Sequence, residues 1–201
     1  MHGWSALILA GGAGRRFGAS GGGSKLLANL GGAPVIRRVA DRVLAAGFAE
    51  TVVVSGAEDA SLRPVLAGLG CRIIAAADWG EGMAASLRTG IAALSSEAKG
   101  VCVFLGDMPL VPTAVCSALI AAAETAGYAA RPRHEGKPGH PVAFTRAAFA
   151  DLLTLRGDTG ATALLRARPG RVAYIDTADS GVLLDIDTPG DLRRAVAAWK
   201  A

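Results

Sequence analysis

A short apolar run, Ala6-Leu7-Ile8-Leu9-Ala10, breaks off abruptly into Gly11-Gly12-Ala13-Gly14. The run reads as a buried strand and the glycines as a tight turn at its carboxyl end. Arg15 and Arg16 follow, then Phe17-Gly18, a second glycine run at Gly21-Gly22-Gly23, and Ser24-Lys25. Glycine lets backbone N–H groups curl around an anion that side chains would keep at a distance. Arginine and lysine beside such a loop add charge and donors for phosphate oxygens. Strand, turn and cations together predict a triphosphate-binding loop after the first strand.

Three other readings of the stretch compete. A plain flexible turn needs none of the basic residues. A dinucleotide fingerprint needs Gly-x-Gly-x-x-Gly, but from Gly12 and Gly14 the last glycine would fall at Phe17 and sits at Gly18. A Walker loop needs Gly-Lys-Ser/Thr, whereas here Ser24 precedes Lys25 and Leu26 follows. Both common phosphate loops fail by register.

The rest of the chain alternates short apolar runs with helical patterns. Helices are expected over Pro34 to Gly47, about Ala60 to Leu69 with an irregularity at Pro64, Met83 to Leu94, and Thr113 to Ala126. Strands are expected at Thr51–Val54, Arg72–Ala75 and Gly100–Leu105, with two more in Tyr128–Arg133 and His140–Phe144 around a polar loop. Thr188 and Pro189 suit the start of a final helix with Asp191 in its first turn, and Leu192, Ala195, Val196 and Trp199 form its expected buried stripe. Strand–helix–strand–helix–strand is the opening half of a doubly wound α/β sheet. At 201 residues the chain is expected to form one domain over residues 1–201.

Composition excludes several classes. No apolar run approaches 20 residues, so no membrane span or membrane partner is expected, and no signal peptide fits the start. Cys71, Cys102 and Cys116 lack metal-ligand spacing and read as buried free thiols of a cytoplasmic protein. The net charge of +4 comes from scattered arginines without interleaved aromatics, which points away from nucleic acid and suits small anionic substrates.

Two strand ends attract attention. Gly100–Leu105 ends in Gly106-Asp107-Met108-Pro109, and a carboxylate beyond the end of a central strand is well placed to hold Mg²⁺ on nucleotide phosphates. The alternative is a turn aspartate before a proline. Asp187, just before the last helix, has no capping role to explain it, unlike Asp191. In Asp78–Leu87, glycines precede a helix whose free N–H groups could face a phosphate, or simply make a loop-to-helix junction.

Leu9, Ala10, Gly12, Gly14, Arg16, Gly18 and Lys25 match the signature Leu-Ala-x-Gly-x-Gly-x-Arg-x-Gly…Lys, and so the chain resembles nucleotidyltransferases with a Rossmann-like catalytic domain. Their members include molybdopterin nucleotidyltransferases, methylerythritol-phosphate cytidylyltransferase and sugar-1-phosphate nucleotidylyltransferases. The spacer of six residues between Gly18 and Lys25 is about twice the expected length. Gly82-Met83-Ala84-Ala85-Ser86-Leu87 and Gly139-His140-Pro141-Val142-Ala143-Phe144 are similar to the molybdenum cofactor cytidylyltransferase pattern, as is Gly106-Asp107-Met108-Pro109 to that of the wider family. Gly157-Asp158-Thr159-Gly160-Ala161 resembles the family's Gly-Asp-x-Gly-Ala-Arg loop, with Thr162 in place of the arginine; Arg156 or Arg166 are the candidates to replace it.

The resemblance implies a Rossmann-like three-layer α/β/α domain with a mostly parallel sheet. It implies transfer of a nucleotidyl group, CMP from CTP, to a phosphorylated acceptor of the molybdopterin type, with release of pyrophosphate. It assigns Arg16, Lys25 and Asp107 to catalysis, and Leu9, Ala10, Gly11, Gly12, Gly14, Arg16, Lys25, Gly82, Met83 and Ser86 to the nucleotide. Asp107 and Asp187 are the implied ligands of Mg²⁺ or Mn²⁺, and His140 and Asp158 the implied acceptor contacts. A molybdoenzyme receiving the cofactor is the implied protein partner. A sugar or polyol phosphate acceptor, a nicotinamide-dependent oxidoreductase and a non-catalytic cofactor carrier are the alternatives.

Overall fold

The computed structural model describes residues 1–12, 17, 23–158 and 160–199. Gly14, Arg16 and Gly18, expected in the phosphate loop, lie outside the described residues.

The strands are β1 (Trp4–Ala10), β2 (Asn29–Leu30), β3 (Ala33–Pro34), β4 (Glu50–Ser55), β5 (Arg72–Ala75), β6 (Gly100–Leu105), β7 (Ala129–His134), β8 (Lys137–Pro138), β9 (Val142–Thr145) and β10 (Val172–Asp176). The helices are α1 (Val35–Ala45), α2 (Asp59–Leu66), α3 (Met83–Ala93), α4 (Val115–Ala126), α5 (Phe149–Leu153), α6 (Thr162–Arg166) and α7 (Pro189–Ala198).

All seven residues of β1 are buried. That follows from its place between parallel neighbours β4 and β6 and between two helical layers. Ala6, Ile8 and Ala10 point into one core with α1, α2 and α4; Leu7 and Leu9 point into the other with Leu87, Ile91, Leu152 and Leu165 of α3, α5 and α6. The expected three layers and mostly parallel sheet are present.

The sheet runs β10-β7-β9-β6-β1-β4-β5, with β8 beside β7. Only β8 and β9 run antiparallel to their neighbours in this sheet, among the described residues. From β1 the chain builds outward through β4 and β5, then returns to place β6 on the other flank of β1. Strand order reverses there, so a crevice opens beyond the carboxyl ends of β1 and β6.

Several expectations shift in detail. The fourth expected helix begins at Val115 rather than Thr113, and the second ends at Leu66. Val196 is not part of a buried stripe: it is 49 % exposed, and Ala195 is the buried residue of α7. The helix lies against one small cluster with Leu30, Val35 and Ile186, into which Ala195 is buried and against which Leu192 and Trp199 pack partly buried, as expected, while Val196 faces away. Cys102 and Cys116 are buried and free as expected, but Cys71 is only half-buried. The edge strand β10 was not anticipated, although its residues alternate in burial. Among the described residues no helix is long and apolar enough to cross a membrane.

Candidate active site

A cavity of about 470 Å³ opens beyond β1 and β6. Leu9, Ala10, Gly11, Gly12, Lys25, Gly82, Met83, Ser86, Asp107, Asp158 and Asp187 all line it, as do Leu26, Trp79, Gly80, Leu105 and Asp185. The described residues expected to bind nucleotide or metal therefore converge on one cleft. His140, expected at the acceptor, is not among the lining residues.

The floor is an ion cluster. Lys25 Nζ donates to Asp107 Oδ2 at 2.6 Å and to Asp187 Oδ1 at 2.7 Å. Asp107 is carried by the turn after β6, where the Gly106 N–H donates to Leu9 O at 2.9 Å. The Ile186 N–H donates to Asp107 O at 3.0 Å, and this bond brings residues 79 positions apart together. The alternation Asp185-Ile186-Asp187 turns Ile186 into the third apolar cluster and both carboxylates to the cleft. Asp191 is occupied elsewhere: it forms a capping box with Thr188 at the start of α7, as its position suggested.

Burial works against the Lys25 ammonium, but the Asp107 charge and the hydrogen bonds to Asp107 and Asp187 outweigh it, and its pKa ends above the ordinary lysine value. Asp185 is pushed up, by burial first and then by the charges of Asp187 and Asp107. The cluster is thus spaced for a cation. Among the described residues no group of three or more His, Cys, Asp or Glu side chains is placed to hold a metal unaided. Two carboxylates plus phosphate oxygens are what Mg²⁺ sites on nucleotides use, so the pair fits a metal that arrives with the nucleotide.

The opposite wall is the turn before α3. Gly82 sits at φ 104°, and a Cβ there would meet Asp158 Oδ1 at 2.1 Å. Only glycine permits both that backbone and that approach. A Cβ on Gly11 would likewise meet Ser86 Oγ at 2.3 Å, so the turn after β1 presses directly on α3. The Ala84 N–H donates to Gly157 O at 3.1 Å. Arg88 ties the wall together: it donates to Asp78, to Glu81 at 3.0 Å and to Leu155 O at 2.7 Å. Trp79 and Met83, 38 % and 44 % exposed, make an apolar rim.

Sequence reasoning missed Trp79, Gly80, Leu26, Leu105 and Asp185. The Asp-x-Asp alternation could have found Asp185; Leu105 follows from being the last strand residue before Gly106. Nothing local marks Trp79.

His140 has a structural explanation. Its ring hydrogen-bonds the Val103 backbone next to Pro141, a residue that has no N–H to offer the sheet. Burial, joined by the Arg131 charge, pushes the imidazole down to about 4. In the unfolded chain it titrates near 6.5. Between these values the unfolded chain takes up a proton that the folded chain refuses. This contribution to stability is complete above pH 6.5 and lost as pH falls toward 4. Urea unfolding is expected to show a loss of about 2–3 kcal/mol between pH 7 and 4.5 from this group, and a smaller slope in H140N. The same slope in both proteins would refute the assignment.

The chain is 31 % identical over 204 residues to the nicotine blue oxidoreductase of Paenarthrobacter nicotinovorans, covering 94 % of each. The crystal structure of Rv0371c from Mycobacterium tuberculosis H37Rv superposes with a TM-score of 0.83 at 29 % identity, over 96 % of this chain and 97 % of that one. The manganese complex of Rv0371C gives 0.81 at 27 %, over 98 % and 99 %. The MobA-like NTP transferase domain matches residues 6–172, which hold the glycine turn, Lys25, the Gly82–Ser86 wall and Asp107, and the chain belongs to that family.

Proposed function

We propose that the protein transfers a nucleotidyl group from a nucleoside triphosphate, CTP by preference, to the phosphate of a molybdopterin-type acceptor and releases pyrophosphate. The observation that carries the proposal is Lys25 bridging Asp107 and Asp187 on the floor of a cleft walled by Gly11 and Ser86. Asp107 and Asp187 would hold Mg²⁺ or Mn²⁺, which supplies charge neutralisation and phosphate alignment when bound. The Gly11 and Gly12 turn lines the cleft beside Lys25, so its backbone and the ammonium suit the departing phosphates. Gly82, Met83 and Ser86 form the base wall. The wall is a short segment, Gly80 to Ser86, containing small residues, which favours a one-ring base. A molybdoenzyme is the partner this reading implies for the finished product.

The curated relative named as an oxidoreductase supports a second reading, reduction or oxidation of a small organic substrate. One experiment separates the two. Pyrophosphate release is measured for four NTPs against candidate phosphorylated acceptors with Mg²⁺ or Mn²⁺, and NAD(P)H absorbance is followed in parallel. We expect pyrophosphate release with CTP favoured over GTP by about tenfold to a hundredfold, because a misfitted base strands buried polar groups at about 1–3 kcal/mol each. Equal or better use of GTP would overturn the cytidylyl assignment. Nicotinamide turnover without pyrophosphate release would overturn transfer itself.

A further inference from the structure

Arg131 on β7 is half-buried, as Lys25 is, yet the two are treated differently. Lys25 is held by two carboxylates. Arg131 has none: its Nε and Nη2 both donate to the single carbonyl oxygen of Gly139, at 3.2 and 3.1 Å. No acidic side chain among the described residues forms an ion pair with it. A desolvated guanidinium without a counter-ion is costly unless an anion completes it.

Its surroundings add to the positive charge. Arg166, at the end of α6, acts on it as a second cation, and Tyr174 of β10 is the registered partner of Arg131 across the sheet. His140 lies close enough to feel the Arg131 charge, and its Nδ1 is buried with no hydrogen-bond partner. The ring nitrogen that bonds Val103 is then Nε2 acting as donor, so Nδ1 carries a lone pair and wants an O–H or N–H. The group also adjoins the cleft. Two residues beyond the registered pair Val103–Val142 lie Leu105 on one strand, which lines the cavity, and His140 on the other.

We propose that Arg131, Arg166 and His140 form an anion-binding subsite beside the cleft, taking a phosphate group that carries, or lies next to, a hydroxyl. Its role as the acceptor's docking point rests on the nucleotidyl-transfer reading. It offers the positive charge that Thr162 withholds from the loop where the family resemblance calls for arginine.

The test uses inorganic phosphate, which at pH 8 is mainly HPO₄²⁻ and carries one O–H, against sulfate, which carries none. Phosphate at about ten times its Kd is expected to raise the Tm by roughly 3–5 °C, and sulfate to bind at least about fivefold more weakly. R131Q and R166Q should each lose most of the phosphate shift, whereas K25M should keep it. A shift lost in K25M but kept in R131Q and R166Q would put the phosphate in the nucleotide cleft and overturn the subsite. Equal binding of sulfate, or no shift in the wild type, would overturn it as well. Should R131Q not fold, R166Q decides, because Arg166 is exposed and its loss leaves no core cavity. Pyrophosphate release is followed separately: its absence with an intact phosphate shift would remove the transfer reading and leave the subsite standing.

Discussion

Replacing Asp107 by asparagine is expected to lower kcat/KM for nucleotidyl transfer by at least about a hundredfold while the protein stays folded. The substitution is nearly isosteric and removes one charge. The backbone around it is held independently, by the Gly106 N–H on Leu9 O, the Met108 N–H on Leu105 O and the Ile186 N–H on Asp107 O. None of these uses the carboxylate. What the carboxylate does is accept from Lys25 at 2.6 Å and face the cleft beside Asp187. Losing one anchor for the charge that offsets the phosphates should cost about 3 kcal/mol in the transition state, which is a factor of a hundred or more. Steady-state kinetics at saturating Mg²⁺, together with a thermal melt, check both halves. Turnover near that of the wild type would remove Asp107 from the machinery.

The residues readable from sequence are those whose role is set by position along the chain. An apolar run that stops at two glycines had to be a central strand ending at a turn, and Asp107 had to lie beyond a second such strand. Asp191 was separable from Asp187 because capping geometry depends on spacing alone. The residues that escaped are those defined by contacts across the chain. Arg88 reaches Leu155 O, 67 positions away, and this contact joins the turn before α3 to the loop bearing Asp158. No periodicity encodes that. His140 shows the limit of a motif read along the chain. A motif match suggested a substrate contact but not its surroundings: the ring lies outside the cleft lining, beside a proline in the sheet, and its unbonded nitrogen is near the Arg131 charge. Val196 was misplaced because helical spacing gives a face without saying how wide the partner surface is.

Substituting Lys25 by methionine is expected to have two effects of opposite sign. Transfer should fall by about a hundredfold in kcat/KM, since among the described residues the ammonium is the one cation that lines the cleft, and contacts to a departing phosphate tighten during such a reaction. Binding of divalent metal to the nucleotide-free protein should become at least about tenfold tighter. The reason is electrostatic. The ammonium sits between two largely buried carboxylates, at 2.6 and 2.7 Å, and a third, Asp185, feels both of their charges. Methionine fills a similar volume but leaves the carboxylates without that cation. Removing one partner of such a buried pair costs about 3–5 kcal/mol, and a divalent ion can recover part of it. K25M should therefore melt below the wild type in chelator and regain stability on addition of Mn²⁺, more steeply than the wild type does. Mn²⁺ titration followed by electron paramagnetic resonance gives the affinities directly. Asp107 and Asp187 would hold a metal in the wild type only once the ammonium had left them, and phosphates bound to the ammonium would favour that exchange. Equal Mn²⁺ affinity in the two proteins would show that Lys25 does not compete for the carboxylates.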